Sequence, residues 1–510
     1  MHQQPPPPFT PPPFTGPDLC ALSATEVVAL LRRGAVSPAE VLQAALARID
    51  QVEPEINAMV TPCPDRARKA LADLPVHAAR NGKHPGWLGG LPIGVKDLTP
   101  VAGVRTTMGS RAFEHFIPDA TDPLIARLEA RGAIVAGKTN TPEFGAGGNT
   151  QNAVFGATRN PWDTARNAGG SSGGAAASLA SGEVWLSHGS DLAGSLRTPA
   201  AYCGVIGLRP SPGRVGGAPE AHGFNTEAVQ GPMARNIADC ALFMDALCGF
   251  DPIWPLSIEA PATPFQTAVA QAGARVRIAF APDLGGFGYV DPVIRAALAQ
   301  AMHSVERAGG SIEETCPELP DLERIYLTLR AMFWAALPGR APGEVQAHYK
   351  PTLHQNIEHG RRLGADAIYD AQLGRSRLYN AMRALLERFD VLAFPTMGVP
   401  AGPVEQEFPP VIDGKPVTDY VDWLKFSFLS VATGLPALSM PAGFTPDGMP
   451  VGLQLIGPPR GEARLLAVAR AIEDALGGPL APIDPRRRET DTAGNRVPVT
   501  RPATAPAGRS

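Results

Sequence analysis

Short apolar segments alternate with helix-forming segments along most of this chain. Residues 91–96 are apolar up to Lys96, a helical stretch then starts at Asp122 and Pro123 and stops before Gly132, and residues 134–137 are apolar again. Such alternation of strands with helices is typical of α/β proteins, in which helices cover a sheet. We therefore predict an α/β fold: a single large domain with a central mixed β-sheet covered by helices on both faces.

The two ends of the chain lack this pattern. Residues 1–20 are rich in proline, and residues 481–510 contain Arg, Pro, Thr and Ala without a helical or strand period. Segments of this composition cannot bury enough apolar surface to fold. We predict a disordered N-terminal arm over residues 1–20, a folded domain over 21–480 and a disordered tail over 481–510. Two capping boxes, Ser23 with Glu26 and Ser37 with Glu40, predict the first long helices of the domain.

Charge and composition argue against several kinds of partner and site. The net charge is −4, whereas nucleic acids and membrane surfaces attract basic proteins. No apolar run approaches the roughly 18 residues of a transmembrane helix, and no signal-peptide pattern is present, so the cytoplasm is the expected location. The six cysteines form no CxxC pair, and there is no HExxH motif. We therefore expect neither a disulfide framework nor a metal site.

Two motif matches point to other chemistries. The stretch from Gly132 to Thr139 satisfies the P-loop pattern, but its middle residues are Ala, Ile, Val and Ala, which predict a strand rather than a phosphate-binding loop. The stretch from Gly169 to Gly173 satisfies G-x-S-x-G, the nucleophile elbow of α/β-hydrolases, in which Ser171 would attack with the help of a histidine. No histidine stands in a context that singles it out, so the elbow is kept as an alternative.

Lys96, Ser171 and Ser195 form the strongest constellation. Lys96 is one of only seven lysines and follows apolar residues, and both serines are flanked by glycines. Glycine permits close approach of the backbone and leaves N–H groups able to face a substrate oxygen. A serine–lysine pair can replace serine–histidine in acyl transfer. These residues predict a serine hydrolase that acts on amides.

Several ordered motifs resemble the amidase signature family. The resemblance covers roughly residues 22–476 and is densest at Gly94-Val95-Lys96-Asp97, at the glycine run 169–174 and at Ser190-Asp191-Leu192-Ala193-Gly194-Ser195. It implies the amidase signature fold, a small-molecule amide substrate, no metal or organic cofactor and, by analogy, a homodimer. Many members have Gly where this chain has Ala193, and a Cβ at that position would be costly if its φ were positive.

The same resemblance implies a role for each site residue. Ser195 would attack the substrate carbonyl and form an acyl-enzyme, and Ser171, held across a cis peptide bond, would pass the proton of Ser195 to Lys96. The pKa of Lys96 must then fall far enough for its amine to be neutral. The oxyanion hole would be formed by the backbone amides of Leu192, Ala193, Gly194 and Ser195. The supporting residues would be Ser172, Ser190, Asp191 and Arg197.

The substrate is less constrained than the chemistry. The resemblance places residues 143–150 beside the pocket, and an aromatic helical stretch could cap an apolar acyl or aryl group or could simply be core. The expected lining residues are Phe144, Gly145, Gly147, Thr150, Phe333 and Trp334. The main prediction is an amidase for carboxylic amides, with aryl esters or carbamates as further candidates. Two alternatives stay open: a component of an amidotransferase that acts with partner subunits, and a catalytically silent scaffold of the same fold.

Overall fold

The computed structural model describes residues 13–216, 223–490 and 496–498. Its helices, in chain order, are α1 (Asp18–Ala21), α2 (Ala24–Arg32), α3 (Pro38–Ile56), α4 (Pro64–Ala70), α5 (Leu74–Asn81), α6 (Pro123–Ala130), α7 (Gly173–Ala180), α8 (Arg197–Cys203), α9 (Ile237–Leu247), α10 (Phe265–Ala270), α11 (Pro292–Arg307), α12 (Leu322–Ala336), α13 (Gly343–Gln346), α14 (Pro351–Arg361), α15 (Ala365–Arg388), α16 (Tyr420–Trp423), α17 (Phe428–Thr433) and α18 (Glu462–Ala475). Within these residues, no helix combines the length and the apolar character needed to cross a bilayer.

The strands are mostly short and belong largely to one sheet. They are β1 (Thr61–Pro62), β2 (Leu91–Lys96), β3 (Ala133–Thr139), β4 (Gln151–Asn152), β5 (Gly156–Ala157), β6 (Arg159–Asn160), β7 (Asp163–Asn167), β8 (Leu186–Asp191), β9 (Ile206–Arg209), β10 (Val229–Ala234), β11 (Arg277–Phe280), β12 (Ser311–Glu314), β13 (Val391–Pro395), β14 (Val411–Ile412), β15 (Lys415–Pro416), β16 (Ala437–Phe444), β17 (Pro450–Ile456), β18 (Arg488–Thr490) and β19 (Arg496–Pro498).

The central sheet has eleven strands in the order β1-β3-β2-β8-β10-β9-β16-β17-β13-β11-β12. It is mixed: β2 runs parallel to both β3 and β8, and β11 runs parallel to both β12 and β13, whereas β10 is antiparallel to β8 and β9. Helices flank the sheet; α3 packs on β2, and α8 packs on β16 and β17. The predicted fold, a single large α/β domain around a mixed sheet, is confirmed.

Local sequence signals start the first helices where they were predicted. The hydroxyl oxygens of Ser23 and Ser37 accept hydrogen bonds from the backbone N–H groups of Glu26 and Glu40, both at 3.2 Å. The two glutamates return the interaction, because each carboxylate accepts the N–H of its serine at 2.7 Å. These reciprocal bonds satisfy N–H groups that would otherwise lack partners at a helix start.

The packed body extends past both predicted boundaries of the folded domain. The guanidinium of Arg48, which is buried on α3, lies 4.5 Å from the centre of the Phe14 ring and forms a 2.9 Å ion pair with Asp484. Residues 13–20 and 481–487 therefore belong to the fold, because each segment contributes a residue that contacts the buried guanidinium of Arg48. The prediction of disorder over 1–20 and 481–510 therefore differs from the structure at residues 13–20 and 481–487. Most other residues of these two segments lie outside the described part of the chain.

The segment that matches the P-loop pattern forms β3. It pairs with β1 on one side and with β2 on the other. Lys138 is buried, and its Nζ donates to the Thr99 carbonyl oxygen at 2.7 Å and to an Asp97 carboxylate oxygen at 3.3 Å. Backbone amides that bond to neighbouring strands are not available to a phosphate. This agrees with the prediction of a strand.

Candidate active site

Lys96 is buried against a cluster of serine hydroxyls. Its Nζ lies 2.7 Å from Ser171 Oγ, 2.9 Å from Ser172 Oγ and 3.1 Å from Ser190 Oγ. The sheet brings these residues together, because β2 and β8 are parallel neighbours and their carboxyl ends, which carry Lys96 and Ser190, meet at one edge. The predicted relay residues Lys96 and Ser171 are therefore in direct contact, with two of the predicted supporting serines beside them.

The environment of Lys96 favours a neutral amine. Burial lowers the pKa of Lys96 to about 7, although the negative charge of Asp191 acts in the opposite direction. A neutral amine offers two N–H donors and one lone pair. Ser172 Oγ lies 3.3 Å from the Ser190 carbonyl oxygen, so its proton has an acceptor there and its oxygen is open to an N–H of Lys96. Ser171 Oγ lies 2.7 Å from Nζ, so a neutral amine can accept the Ser171 proton at its lone pair.

Asp97, the next residue along the chain, is turned away from the Lys96 amine. Its carboxylate accepts from the Thr107 hydroxyl at 2.6 Å, from the Thr107 N–H at 3.1 Å and from Lys138 Nζ at 3.3 Å. Lys138 and Thr107 thereby hold this carboxylate in a separate network. The charge that opposes a neutral Lys96 is that of Asp191, not that of its sequence neighbour.

The glycine turn that carries Ser171 is held by two residues predicted to line the pocket. The Thr150 hydroxyl donates to the Gly169 carbonyl oxygen at 2.8 Å and accepts the Gly173 N–H at 3.0 Å. Gly147 backs the same turn, since a Cβ placed on Gly170 would lie 2.9 Å from the Gly147 carbonyl oxygen. The structure therefore gives Thr150 and Gly147 a role in shaping the turn, because their polar atoms face its backbone.

Ser195 lies in the connection between β8 and α8. It is only 6% exposed, and its carbonyl oxygen accepts the N–H of Ser172 at 3.1 Å. The peptide bond between Gly170 and Ser171 is cis, as the family resemblance implies. The two serine-bearing turns are thus hydrogen-bonded to each other, and Ser172 contacts both the Lys96 amine and the Ser195 backbone.

Asp191 anchors the Ser195 connection through two buried arginines. Its carboxylate accepts from Arg197 Nε at 3.0 Å and Nη2 at 2.9 Å, and Arg209 Nη1 lies 3.4 Å away. Burial raises the pKa of Asp191, but the charges of Arg197 and Arg209 and the hydrogen bonds outweigh burial and hold the pKa well below its ordinary value. Arg209 had no role in the sequence prediction. Its place follows from β9 pairing with β10, which in turn pairs with β8.

One of the four amides expected in the oxyanion hole is already engaged. The N–H of Gly194 donates to Asp191 Oδ1 at 3.0 Å. The N–H groups of Leu192, Ala193 and Ser195 have no acceptor within the described part of the chain. Gly194 has the positive φ of this connection, 89°, and Ala193 does not. The alanine that replaces the more common glycine therefore causes no backbone strain.

Phe144, Phe333 and Trp334 come together beside this connection. They belong to one apolar cluster that also contains Leu192 and Tyr349. The ring centres of Phe144 and Tyr349 are 5.0 Å apart, and those of Phe333 and Trp334 are 5.3 Å apart. Because Leu192 belongs to this cluster, the connection that carries Ser195 packs against apolar side chains at Leu192.

Gly145, one of the predicted lining residues, lies next to Ser171. A Cβ placed on it would lie 3.2 Å from Ser171 Oγ, and its φ is +74°. Any larger residue would therefore be strained and would crowd the Ser171 hydroxyl. Tyr349, in contrast, was missed by the sequence prediction, because nothing local in the sequence places it against Phe144.

The nucleophile-elbow alternative finds no histidine at Ser171 among the described residues. His188 is buried on β8, but its Nε2 is hydrogen-bonded to Gln230 Oε1. Burial lowers the pKa of His188 to about 3. The group that contacts the Ser171 hydroxyl is Lys96.

A mixed α/β sheet with a buried lysine bonded to a serine at its edge defines a class of hydrolases that use lysine in place of histidine. The family model named Amidase matches residues 40–466 of this chain. The chain belongs to the amidase signature family, which confirms the resemblance seen in the motifs. It is accordingly an amide-hydrolysing enzyme.

Individual relatives share most of their length with this chain. The acylamidase of Rhodococcus erythropolis is 35% identical over 464 residues, which cover 89% of this chain and 95% of the relative. A glutamyl-tRNA(Gln) amidotransferase subunit of Thermus thermophilus is 37% identical over 478 residues, covering 89% and 97%. The crystal structure of a bacterial aryl acylamidase of the amidase signature family has a TM-score of 0.81 at 29% identity, covering 89% and 96%.

Proposed function

We propose that this enzyme cleaves carboxylic amides through an acyl-enzyme on Ser195, with Ser171 and Lys96 as the proton relay. The observation that carries the proposal is the buried Lys96 amine, whose pKa is lowered to about 7 and whose Nζ lies 2.7 Å from Ser171 Oγ. A general base must be unprotonated near the working pH and within hydrogen-bond reach of the proton that it takes. Lys96 meets both requirements at Ser171.

The proposed reaction moves one proton forward and back along this relay. Ser195 Oγ attacks the carbonyl carbon while its proton passes to Ser171 Oγ and the Ser171 proton passes to Lys96 Nζ. When the C–N bond breaks, the same path returns a proton to the nitrogen, which leaves as a neutral amine. Water then attacks the acyl-enzyme, gives its proton to the relay and releases the carboxylic acid as Ser195 is regenerated.

The amides of Leu192, Ala193 and Ser195 would stabilise the oxyanion that forms in each step. Gly194 takes a different part, because its N–H is donated to Asp191 and fixes the connection. Removal of one oxyanion-hole donor typically lowers kcat by roughly 10²–10³-fold. Asp191 would thus act on catalysis through the shape of this loop, supported by its two arginine partners.

Amides with an apolar or aryl part suit the neighbourhood of Ser195 best. The cluster of Phe144, Phe333, Trp334 and Leu192 offers an apolar surface there. The similarity to an acylamidase and to an aryl acylamidase supports the same class of substrate. Aryl esters and carbamates present a comparable carbonyl to the same nucleophile, so we propose them as further substrates.

Single substitutions in the relay test this proposal with 4-nitroacetanilide as substrate. Ser195→Ala and Lys96→Ala should each lower kcat/KM by at least about 10⁴-fold, since the loss of one member of a catalytic unit costs about as much activity as the loss of all its members. The matched control is Ser178→Ala, because Ser178 is buried on α7 but donates only to the Ala175 carbonyl oxygen at 2.9 Å. It should retain wild-type activity. A folded Ser195→Ala enzyme with wild-type activity would overturn the proposal.

The 37% identity to a component of an amidotransferase favours a second candidate function, ammonia release from glutamine within a larger assembly. Glutamine and aryl amides should therefore be compared as substrates of the purified chain. Aryl amide hydrolysis without glutaminase activity would count against the amidotransferase function. A folded chain that is inert towards both would support either the silent scaffold or a subunit that needs its partners. We also propose a homodimer by family analogy, for which light scattering should give twice the chain mass of 53.5 kDa.

A further inference from the structure

Helix α12 carries three buried polar side chains on one face. Tyr326, Arg330 and Trp334 follow one another at intervals of four residues, which places their side chains in one row along the helix. Their exposures are 0%, 3% and 2%. The Tyr326 hydroxyl, Arg330 Nε and Trp334 Nε1 have no hydrogen-bond partner within the part of the chain that the structure describes. Buried polar atoms are nearly always paired, so three open polar groups in one row suggest a ligand that completes them.

Arg330 is also exceptional among the buried arginines of the described chain. The others contact carboxylates or backbone carbonyl oxygens: Arg48 contacts Asp484, Arg197 and Arg209 contact Asp191, Arg214 contacts Glu462, and Arg235 contacts the carbonyl oxygens of Leu22 and Val184. Arg330 donates from Nη2 to the Tyr420 hydroxyl and has no carboxylate in direct contact among the described residues. Burial lowers its pKa, but Tyr420, Tyr326 and the charge of Asp419, which acts from farther away, outweigh burial and raise it. Because Asp419 does not contact the guanidinium directly, an anion that hydrogen-bonds to it would be a closer partner for the buried charge of Arg330.

Tyr326, the neighbour of Arg330 in the row, does not supply a negative charge. Burial raises the pKa of Tyr326 to about 12, although the charge of Arg330 acts in the opposite direction. The Tyr326 hydroxyl is therefore neutral near pH 7, and it stands beside the guanidinium as a dipole rather than as an anion. Tyr326 helps to raise the pKa of Arg330, but the row itself supplies no carboxylate to the guanidinium.

Aromatic rings hold the Arg330 guanidinium in one orientation. Its Cζ lies 5.3 Å from the centre of the Trp334 ring and 5.4 Å from that of Tyr420. Contact with aromatic faces orients a guanidinium and stabilises it in part. The N–H groups in the plane of the guanidinium remain available to a hydrogen-bond acceptor. A planar fork held in this way matches the two oxygens of a carboxylate.

The row on α12 leads to the neighbourhood of Ser195. Trp334 packs in the same apolar cluster as Phe144 and Leu192, and Leu192 is three residues before Ser195. Arg330 lies one helical turn before Trp334, a rise of about 6 Å along the axis. A substrate whose apolar part occupies the cluster could therefore extend along α12 towards the guanidinium.

We propose that Arg330 binds a carboxylate at the end of the amide substrate remote from the scissile bond, with Trp334 Nε1 as a second donor. The preferred substrates are then amides whose apolar acyl chain ends in a carboxylate. This inference rests on the proposed function, because it requires the scissile amide to lie at Ser195. It adds a charged recognition element beside the apolar cluster that contains Phe144, Leu192 and Trp334.

Matched pairs of anilides test this specificity in the wild-type enzyme. Each pair consists of two separate compounds. One is the mono-4-nitroanilide of a dicarboxylic acid, from succinic to suberic acid, and the other is the 4-nitroanilide of the monocarboxylic acid with the same chain length. The two compounds share the scissile bond and differ at the terminal group. At one chain length the carboxylate compound should be preferred by about 10- to 100-fold in kcat/KM, as for a hydrogen bond to a charged group.

Two variants of α12 separate recognition from general damage to the helix. Arg330→Met should abolish the preference and change kcat/KM for the neutral anilide by no more than about threefold. Arg324→Met is the matched control, because the Arg324 side chain is 49% exposed on the same helix and is paired with Asp321 at 3.1 Å. It should keep the preference. If Arg330→Met does not fold, Trp334→Phe keeps an aromatic ring but removes the second donor and part of the surface that faces the guanidinium, and it should weaken the preference several-fold.

The possible outcomes distinguish this inference from the proposed function. Hydrolysis of the neutral anilides without a carboxylate preference at any chain length overturns the inference and leaves the proposed function standing. A preference that survives in folded Arg330→Met overturns the inference as well, and so does an unchanged preference in Trp334→Phe if Arg330→Met does not fold. Failure to hydrolyse either compound of every pair contradicts the proposed function itself.

Discussion

Replacing Lys96 by methionine tests whether the buried amine is neutral in the folded protein. Burial lowers its pKa from 10.5 to about 7, and one pKa unit corresponds to about 1.4 kcal/mol. The shift of about 3.5 units therefore costs the fold about 5 kcal/mol at pH 7 and below. Methionine has a similar length and no charge, but it forfeits three hydrogen bonds to serines worth about 1 kcal/mol each. We expect Lys96→Met to be inactive and more stable than the wild type by about 2 kcal/mol at pH 7.

The difference in stability between the wild type and Lys96→Met should change with pH in a defined direction. Between pH 7 and pH 10.5, Lys96 is protonated in the unfolded chain and neutral in the folded protein, so the unfolded state binds more protons. The stability of the wild type relative to Lys96→Met must therefore rise with pH, by about 1.4 kcal/mol per pH unit. The order of stability should reverse between about pH 8 and pH 9 and change no further above about pH 10.5.

Urea unfolding of both proteins, followed by tryptophan fluorescence at pH 7, 8, 9 and 10, measures this difference. All other titrating groups are shared by the two proteins, so their contributions cancel in the comparison. A stability difference that stays constant across this range would refute the neutral amine, and with it the role of Lys96 as a base.

Three further predictions concern activity and stability. The value of kcat/KM should fall tenfold per pH unit below about pH 7, because protonation of Lys96 removes the base; a pH–rate profile that is flat from pH 5 to pH 8 would contradict this. Asp191→Asn should destabilise the fold by about 3–5 kcal/mol in urea unfolding, because it leaves two buried arginines without their carboxylate; a change below about 1 kcal/mol would argue against the anchor. Gly194→Ala should lower kcat at least about tenfold, since φ is 89° and the new Cβ would lie 3.0 Å from Ser427 Cβ. Ala193→Gly is its control and should stay within about threefold of the wild type.

Much of the fold could be predicted because its signals are local. The capping boxes at Ser23 and Ser37 act within four residues, and the apolar run that ends at Lys96 is buried along its whole length. The apolar segment 134–137 lies within β3. In each case the residues that determine the element lie inside it or directly beside it.

The ends of the domain could not be predicted from composition. Arg48 lies on α3, where a charged residue is ordinarily exposed, but the structure buries it between Phe14 and Asp484. This contact joins residues more than four hundred positions apart in the sequence. Proline-rich and Arg-rich composition therefore underestimated how far the packed body extends.

The contact between Lys96 and Ser171 could be predicted from the sequence, but the hydrogen bonds that hold the surrounding loops could not. Lys96 and Ser171 lie in recognisable motifs, and the parallel pairing of β2 with β8 brings them into one site. The hydroxyl of Thr150 bonds to the glycine turn, and the N–H of Gly194 bonds to Asp191. The direction in which a hydroxyl or an amide points depends on the folded backbone, and residue type and spacing do not encode it.

The identity of the nucleophile can be measured most directly with a fluorophosphonate probe. The folded protein is treated with the probe, digested, and the modified residue is located by mass spectrometry, with Lys96→Met treated in parallel. We predict that the label lies on Ser195 and that Lys96→Met is labelled far more slowly, because the relay has lost its base. A label on Ser171 in the wild-type protein, with Ser195 unmodified, would contradict the proposed relay.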